Sequence, residues 1–160
     1  MKKLLVLCSL LVCTAFAQQE KVTSLLQTKI VHATESEQLL VWVFFNDKGN
    51  ATEQYFAQPS LVVSEKSLQR RAKVLPANSL IDITDIPVHR TYITTLAQFG
   101  FVMKQKSKWF NGISGYASKV QIQQIASLPF VTQIDIVYQL RKPQEIISTE
   151  KEIILSQEKQ

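Results

Sequence analysis

The chain has 160 residues, 46% of them hydrophobic and 19% charged, and a formal net charge of +5. That length suffices for one domain with a modest core and is short for a large enzyme. The basicity is mild, and milder still once Lys2 and Lys3 are set aside with their segment, so charge calls for no nucleic-acid partner.

Met1-Lys2-Lys3 precedes an apolar run, Leu4 to Val12, and then Ala15-Phe16-Ala17, a small-x-small cleavage pattern. Residues 1–17 read as a secretory signal peptide cut near Gln18, so export to the periplasm or the exterior is expected. The run is shorter than the roughly 20 residues that span a bilayer, and no later stretch approaches that length, so no stable membrane insertion is expected after cleavage. Both cysteines, Cys8 and Cys13, lie in this segment, and Val12 stands where a lipid-attachment signal wants a small residue. The mature chain is therefore expected to hold no thiol, no disulfide and no thiolate metal site.

Residues 18–37 are polar with scattered apolar positions and read as a loose lead-in to a domain over 38–140. "LLVWVFF", Leu39 to Phe45, is a continuous apolar run closed by the turn residues "NDKGN", and reads as a buried strand. A weaker second strand is placed around Ser60 to Val63. Ser64 then caps a helix with Glu65 in its first turn, a stripe of Leu68, Ala72 and Leu75, and Pro76 beyond its end; Arg70-Arg71 reads as a solvated face.

The next helix takes Asp85 as cap and Pro87 in its first turn, with Tyr92, Leu96 and Phe99 at helical spacing and Gly100 as its left-handed stop. Phe101 to Trp109 alternates Phe101 and Met103 against Val102, Lys104 and Lys106. Asn111-Gly112 turns the chain, and Ile113 to Ala117 returns as a strand. Ser118 caps a helix burying Val120, Ile122, Ile125, Ala126 and Leu128, ended by Pro129. "FVTQIDIVY" is the last strand, with Val131, Ile134, Ile136 and Tyr138 inward and one slip of period. Residues 141–160 turn polar and read as a linker or tail. Without the extra helix the order is βαββαβ, an α+β ferredoxin-like arrangement of one antiparallel sheet with helices on one face.

Catalytic chemistry is hard to assemble from this composition. His32 and His89 are the only histidines and lack a metal-ligand spacing, so surface roles are expected, with no metal and no cofactor. No glycine-rich phosphate loop is present. Ser114 lies in "GISGY", a G-x-S-x-G pattern, but a nucleophile elbow needs a strand, a sharp turn and a helix with a later histidine, and no histidine follows Ser114.

"FNGISGYASKVQIQQIASLPFVTQID" resembles the second half of the inhibitor-like propeptide of subtilisin-type serine peptidases. Asn111-Gly112-Ile113-Ser114 and Leu128-Pro129-Phe130-Val131 carry the likeness. "VWVFFNDKGN", "SEKSLQRRAK", "DIPVHRTYI" and "SKWFNGIS" look like the longer propeptide of exported bacterial peptidases of this kind, which has an extra Ser-x-x-x-Leu-x-Arg-Arg-Ala helix after the first strand. The likeness covers about residues 38–140. Gly115 departs from it, standing where the family more often has Ala, and is expected to weaken its strand locally.

The resemblance implies a non-catalytic chain whose partner is a subtilisin-like peptidase domain, in cis or in trans. Such a propeptide lays its sheet on two surface helices of the peptidase, feeds its tail into the active-site cleft and speeds folding. In that family the domain bearing the Asp, His and Ser follows the propeptide, whereas this sequence ends in the linker, so a truncated or split precursor is expected. Trp109, Phe110, Asn111, Gly112, Ser114 and Gly115 become partner-contact candidates, with Ser114, Gly115 and Ala117 small enough for close approach. Trp109 stands open between core and contact, and Phe110 is weighted towards core. Ile153, Ile154 and Leu155 are the cleft-tail candidates. A free-standing inhibitor of the same fold is the near alternative. An exported adaptor for an unrelated protein is a more distant one, and single-stranded RNA binding on sheet aromatics conflicts with export and with a buried "LLVWVFF".

Overall fold

The computed structural model describes residues 21–138, and within them the chain alternates short helices with four strands. The helices are α1 (Ser24–His32), α2 (Thr52–Ala57), α3 (Glu65–Arg71), α4 (Arg90–Gln98) and α5 (Lys119–Ala126); the strands are β1 (Leu39–Phe45), β2 (Val102–Ser107), β3 (Gly112–Ala117) and β4 (Val131–Ile136). The strands form one sheet in the order β2-β3-β1-β4, every neighbouring pair antiparallel. This is the expected α+β, ferredoxin-like arrangement. The signal segment, the tail from residue 139 onward, and with it Ile153, Ile154 and Leu155 lie outside the described residues. Among the described residues, no helix is long and apolar enough to cross a membrane.

β1 is central and divides the molecule. Leu39, Val41, Val43 and Phe45 are buried, while Leu40, Trp42 and Phe44 are half-buried. Side chains alternate across a sheet, so a continuous apolar run need not be buried on both faces. The expectation of a wholly buried strand is thus corrected. Leu96 of α4 and Ile122, Ile125 and Ala126 of α5 join Val41, Val43, Ile113 and Ile134 in the main core.

α5 begins as its sequence demands. Ser118 accepts a bond from the Gln121 amide, and the Gln121 side chain accepts one from the Ser118 amide at 2.8 Å, a reciprocal cap. Val120, expected inside, is exposed instead, because it falls off the Ile122-Ile125-Ala126 face. In β4 the slip of period has a cause: the β1–β4 register shifts between Phe44 and Phe45, so Val131 and Ile134 both reach the core although three apart. Tyr138, expected inward, lies past the end of that strand and is 72% exposed.

The expected loose lead-in contains α1. Thr23 caps it, accepting from the Leu26 amide at 3.4 Å and donating to Asp135 at 2.6 Å, while the Thr23 amide donates to the Ile134 carbonyl. Leu26 and Ile30 are buried in the main core. Leu25 and Val31 are exposed, so the apolar residues of α1 sit on both faces and its sequence carries little helical contrast.

Between β1 and α4 lies an insert with its own small cluster of Val63, Leu68 and Ile81. The expected second strand is absent; Pro59–Leu61 is a single 3₁₀ turn, in which Pro59 fixes the backbone and its carbonyl accepts from Val62 and Val63. α3 starts after Ser64 as expected, but of its stripe only Leu68 is buried, and Ala72 and Leu75 are exposed. α4 starts later than expected, with His89 rather than Asp85 at its N-cap, so Pro87 precedes the helix. Its C-terminal stop is Gly100 at φ 82°, as expected.

Leu26 is fully buried in the main core although its helix is none of the βαββαβ elements. Leu26→Ala is therefore expected to cost about 2–5 kcal/mol in urea unfolding. A loss within about 0.5 kcal/mol, the range of surface substitutions, would contradict the placement of α1.

Candidate partner-binding face

α1, α4 and α5 bury Leu26, Leu96, Ile122 and Ile125 against Val41 and Val43 on one side of the sheet, so among the described residues its other side is open. Across it, Leu40, Trp42 and Phe44 of β1 pair with Tyr116, Ser114 and Gly112 of β3. Val102, Gln105 and Ser107 of β2 continue these rows on one side, and Asp135 and Gln133 of β4 flank Trp42 and Phe44 on the other. Trp42 stacks with Phe44 at 5.9 Å between ring centroids and meets Phe110 edge-on at 6.2 Å. Lys104 places its ammonium over the Tyr116 ring at 5.6 Å. Three aromatic rings in contact on an uncovered sheet face are the kind of rigid, large-area anchor that protein interfaces use.

The β2–β3 turn carries the outermost of these rings. Ser107 pairs with Gly112, so Lys108–Asn111 form a four-residue tip, and Gly112 belongs to β3 rather than to a two-residue turn. Asn111 takes the left-handed conformation at φ 48°, which asparagine tolerates better than other side chains. Its side-chain amide donates to the carbonyls of Phe45 at 3.0 Å and Asp47 at 2.6 Å, and its own carbonyl accepts from the Phe45 amide at 2.9 Å. Trp109 is 71% exposed and Phe110 66%. Phe110, weighted towards core in the sequence, is a surface ring because the tip projects it beyond the strands and lays it edge-on to Trp42.

The small residues of β3 serve two different sides. Gly112 and Ser114 lie in the rows of Phe44 and Trp42 and are buried. Gly115 and Ala117 instead lie in the rows of Val41 and Leu39, facing the helices. A Cβ on Gly115 would come within 2.6 Å of the Phe101 ring and closer still to the Val102 carbonyl. Gly115 thus admits Phe101 to the core, and the expectation that Gly115 and Ala117 let a partner approach is corrected. Ser114 sits mid-strand, without the strand–turn–helix setting of a nucleophile elbow.

Charged groups that the sequence does not mark as related meet behind the tip. Arg71 donates to both oxygens of Asp85, at 2.6 and 3.1 Å, and to the Leu80 carbonyl, while Lys108 lies 3.6 Å from Asp85. Arg71 is therefore not part of a solvated helix face, and Asp85 is no helix cap; Arg70 alone is exposed as expected. The hydrogen bonds from Arg71 hold the Asp85 carboxyl below its ordinary value. Asp47 accepts from the Tyr92 hydroxyl at 2.6 Å, which raises Tyr92 to about 12. Lys48, buried at 5% exposure, donates to the carbonyls of Ile86 and Lys108. In the sequence Lys48 is one of two charged residues of the turn "NDKGN", and nothing local sets it apart from Asp47.

Of the histidines, His32 is exposed as expected. His89 is half-buried, its ring 4.7 Å from that of Tyr92, and its Nδ1 is buried without a hydrogen-bond partner. It packs in the α4 entry rather than serving a surface role.

A family profile described as the Peptidase S8 propeptide domain of Bacteroidota matches residues 40–152. No curated protein and no solved structure matches the chain.

Because the folded carboxyl of Asp85 is held below its unfolded value, its stabilisation is fully present above the unfolded value, near pH 4, and is lost as pH falls through the lower folded one. Asp85→Asn is thus expected to lower the melting midpoint at pH 7 and to flatten its decline below about pH 4. A thermal series in which the variant declines as steeply as the parent would assign that acid sensitivity to other carboxylates.

Proposed function

Since the chain belongs to the Peptidase S8 propeptide domain family of Bacteroidota, we propose that it acts as folding chaperone and temporary inhibitor of a subtilisin-like serine peptidase, in cis or in trans. A propeptide domain is the non-catalytic part of such a peptidase and associates with its peptidase domain. The observation that carries the finer reading is the open sheet face, where the half-buried Trp42 and Phe44 and the exposed Phe110 form one aromatic cluster. An antiparallel sheet covered by helices on one side only leaves its other side for water or for a partner.

The two ends of the sheet then have separate tasks. Phe45, next to the tip, marks one end of β1, and Ile136, opposite Val41, lies towards the other. The tip and Ile136 thus lie towards opposite ends of β1, a strand of seven residues that spans roughly 20 Å. In this reading the tail runs from the Ile136 end to the cleft as an added strand, with Ile153, Ile154 and Leu155 near the catalytic centre. Binding the folded peptidase and not its unfolded chain favours the folded state by mass action, which is the physical content of chaperoning. Export rests on the Lys2-Lys3, apolar and Ala15-Phe16-Ala17 pattern.

Titration of the signal-cleaved chain against a subtilisin-type peptidase of Bacteroidota, read by hydrolysis of a chromogenic peptide, tests this. Tight inhibition that fades as the chain is digested is expected. Trp42→Ala is expected to weaken it at least about tenfold, or roughly 1.4 kcal/mol, and deletion of residues 141–160 to remove the block of the cleft. A folded chain that leaves its cognate peptidase fully active would overturn the inhibitor role and favour an adaptor.

A further inference from the structure

Three chain segments that are remote in sequence converge on one ammonium group. Lys48 leaves the end of β1, and its Nζ donates to the carbonyl of Ile86, at the exit of the insert, at 2.8 Å, and to the carbonyl of Lys108, at the root of the tip, at 2.5 Å. The residue is 5% exposed, and among the described residues no carboxylate pairs with it; the nearby Asp85 is taken by Arg71 and Lys108. A buried ammonium without a carboxylate is costly. Burial and the charge of Lys108 accordingly push Lys48 below its ordinary value.

A methionine of similar length would avoid that cost but leave the Ile86 and Lys108 carbonyls without this donor, so the two effects offset and Lys48 contributes little net to core stability. What it does supply is geometry. Beside the ion pair of Lys108 with Asp85 at 3.6 Å, it is a second and more buried tie between the insert and the tip, and the Lys108 carbonyl begins the four-residue tip that presents Trp109 and Phe110. Asn111 secures the far end of the same tip through Phe45 and Asp47. The tip is thus held at both ends, by Lys48 at its start and Asn111 at its close.

We propose that Lys48 is a positioning residue that preorganises the Lys108–Asn111 tip for docking. That docking is the reading given above, on which this inference rests. A preorganised loop binds more tightly because its ordering entropy is spent in folding and not in association. The docking surface accordingly extends past the sheet face onto a rigid tip.

Two measurements on the signal-cleaved chain test this. In ¹⁵N relaxation, the amides of residues 108–111 are expected to show order parameters near the rigid value of about 0.85 in the parent and below about 0.6 in Lys48→Met, with β1 and β3 unchanged. In the titration, Lys48→Met is expected to inhibit about tenfold less tightly at an unaltered melting midpoint. Lys48→Arg, which keeps donors for both carbonyls, is expected to restore order and inhibition, and Lys48→Gln, with a shorter neutral donor, to fall between. Tip amides that stay rigid in both Lys48→Met and Lys48→Gln overturn the proposal, as does a mobile tip with parental inhibition. If the parent itself does not inhibit, the docking reading fails on its own, and the relaxation data still decide whether Lys48 orders the tip.

Discussion

The pairing of β1 on both of its edges is the constraint from which the rest of the molecule follows. With β3 on one side and β4 on the other, every residue of Leu39–Phe45 is committed to one of two faces. A slip of one residue would exchange Val41 and Val43 for Trp42 and Phe44 in the core. The helices can cover only one of these faces, and the aromatic residues on the other are left as surface. A continuous apolar strand is thereby both the centre of the core and the floor of the candidate docking face.

Hydrophobic burial alone does not settle what happens at the Phe45 end of the sheet. There the chain leaves β1, the insert returns through Asp85 and the fully buried Ile86, and the tip closes at Asn111, so the polar backbone of three loops meets beside the packed rings of Phe45, Tyr92 and Phe130. Their ties are hydrogen bonds to carbonyls from Lys48 and Asn111 and the fork of Arg71 on Asp85. Such bonds contribute modestly to stability but are strict about geometry. The insert, with its small Val63-Leu68-Ile81 cluster, is fastened to the sheet through this junction.

For a propeptide, this division of labour is physically apt. The covered side of the sheet supplies what stability a disulfide-free domain of this size can muster, while the open side keeps large rigid rings available for a partner. Trp42 and Phe110 touch each other across the boundary between strand and tip, so the sheet face and the tip form one continuous surface.

Much of this was legible in the sequence, because local signals there coincide with the tertiary outcome. "LLVWVFF", the Ser118 cap, Gly100 and the order βαββαβ each depend on residues close together in the chain, and the motifs from "VWVFFNDKGN" to "LPFV" lie within the span matched by the propeptide family. Other features needed contacts between distant residues. Leu26 shows as core only once Thr23 is tied to Ile134 and Asp135, more than a hundred positions away. Asp85 has the look of a helix cap until Arg71, on another helix, claims it. Gly115 and Ser114 are adjacent small residues in the sequence, yet the pleat sends one to the Phe101 ring and the other to the row of Trp42. The sequence by itself determined the four strands of the sheet, the two helices of the βαββαβ order and the family, since periodicity, caps and motifs are local. Which face each residue serves, and which charges meet, only the tertiary structure decided, because strand register and long-range pairing set them.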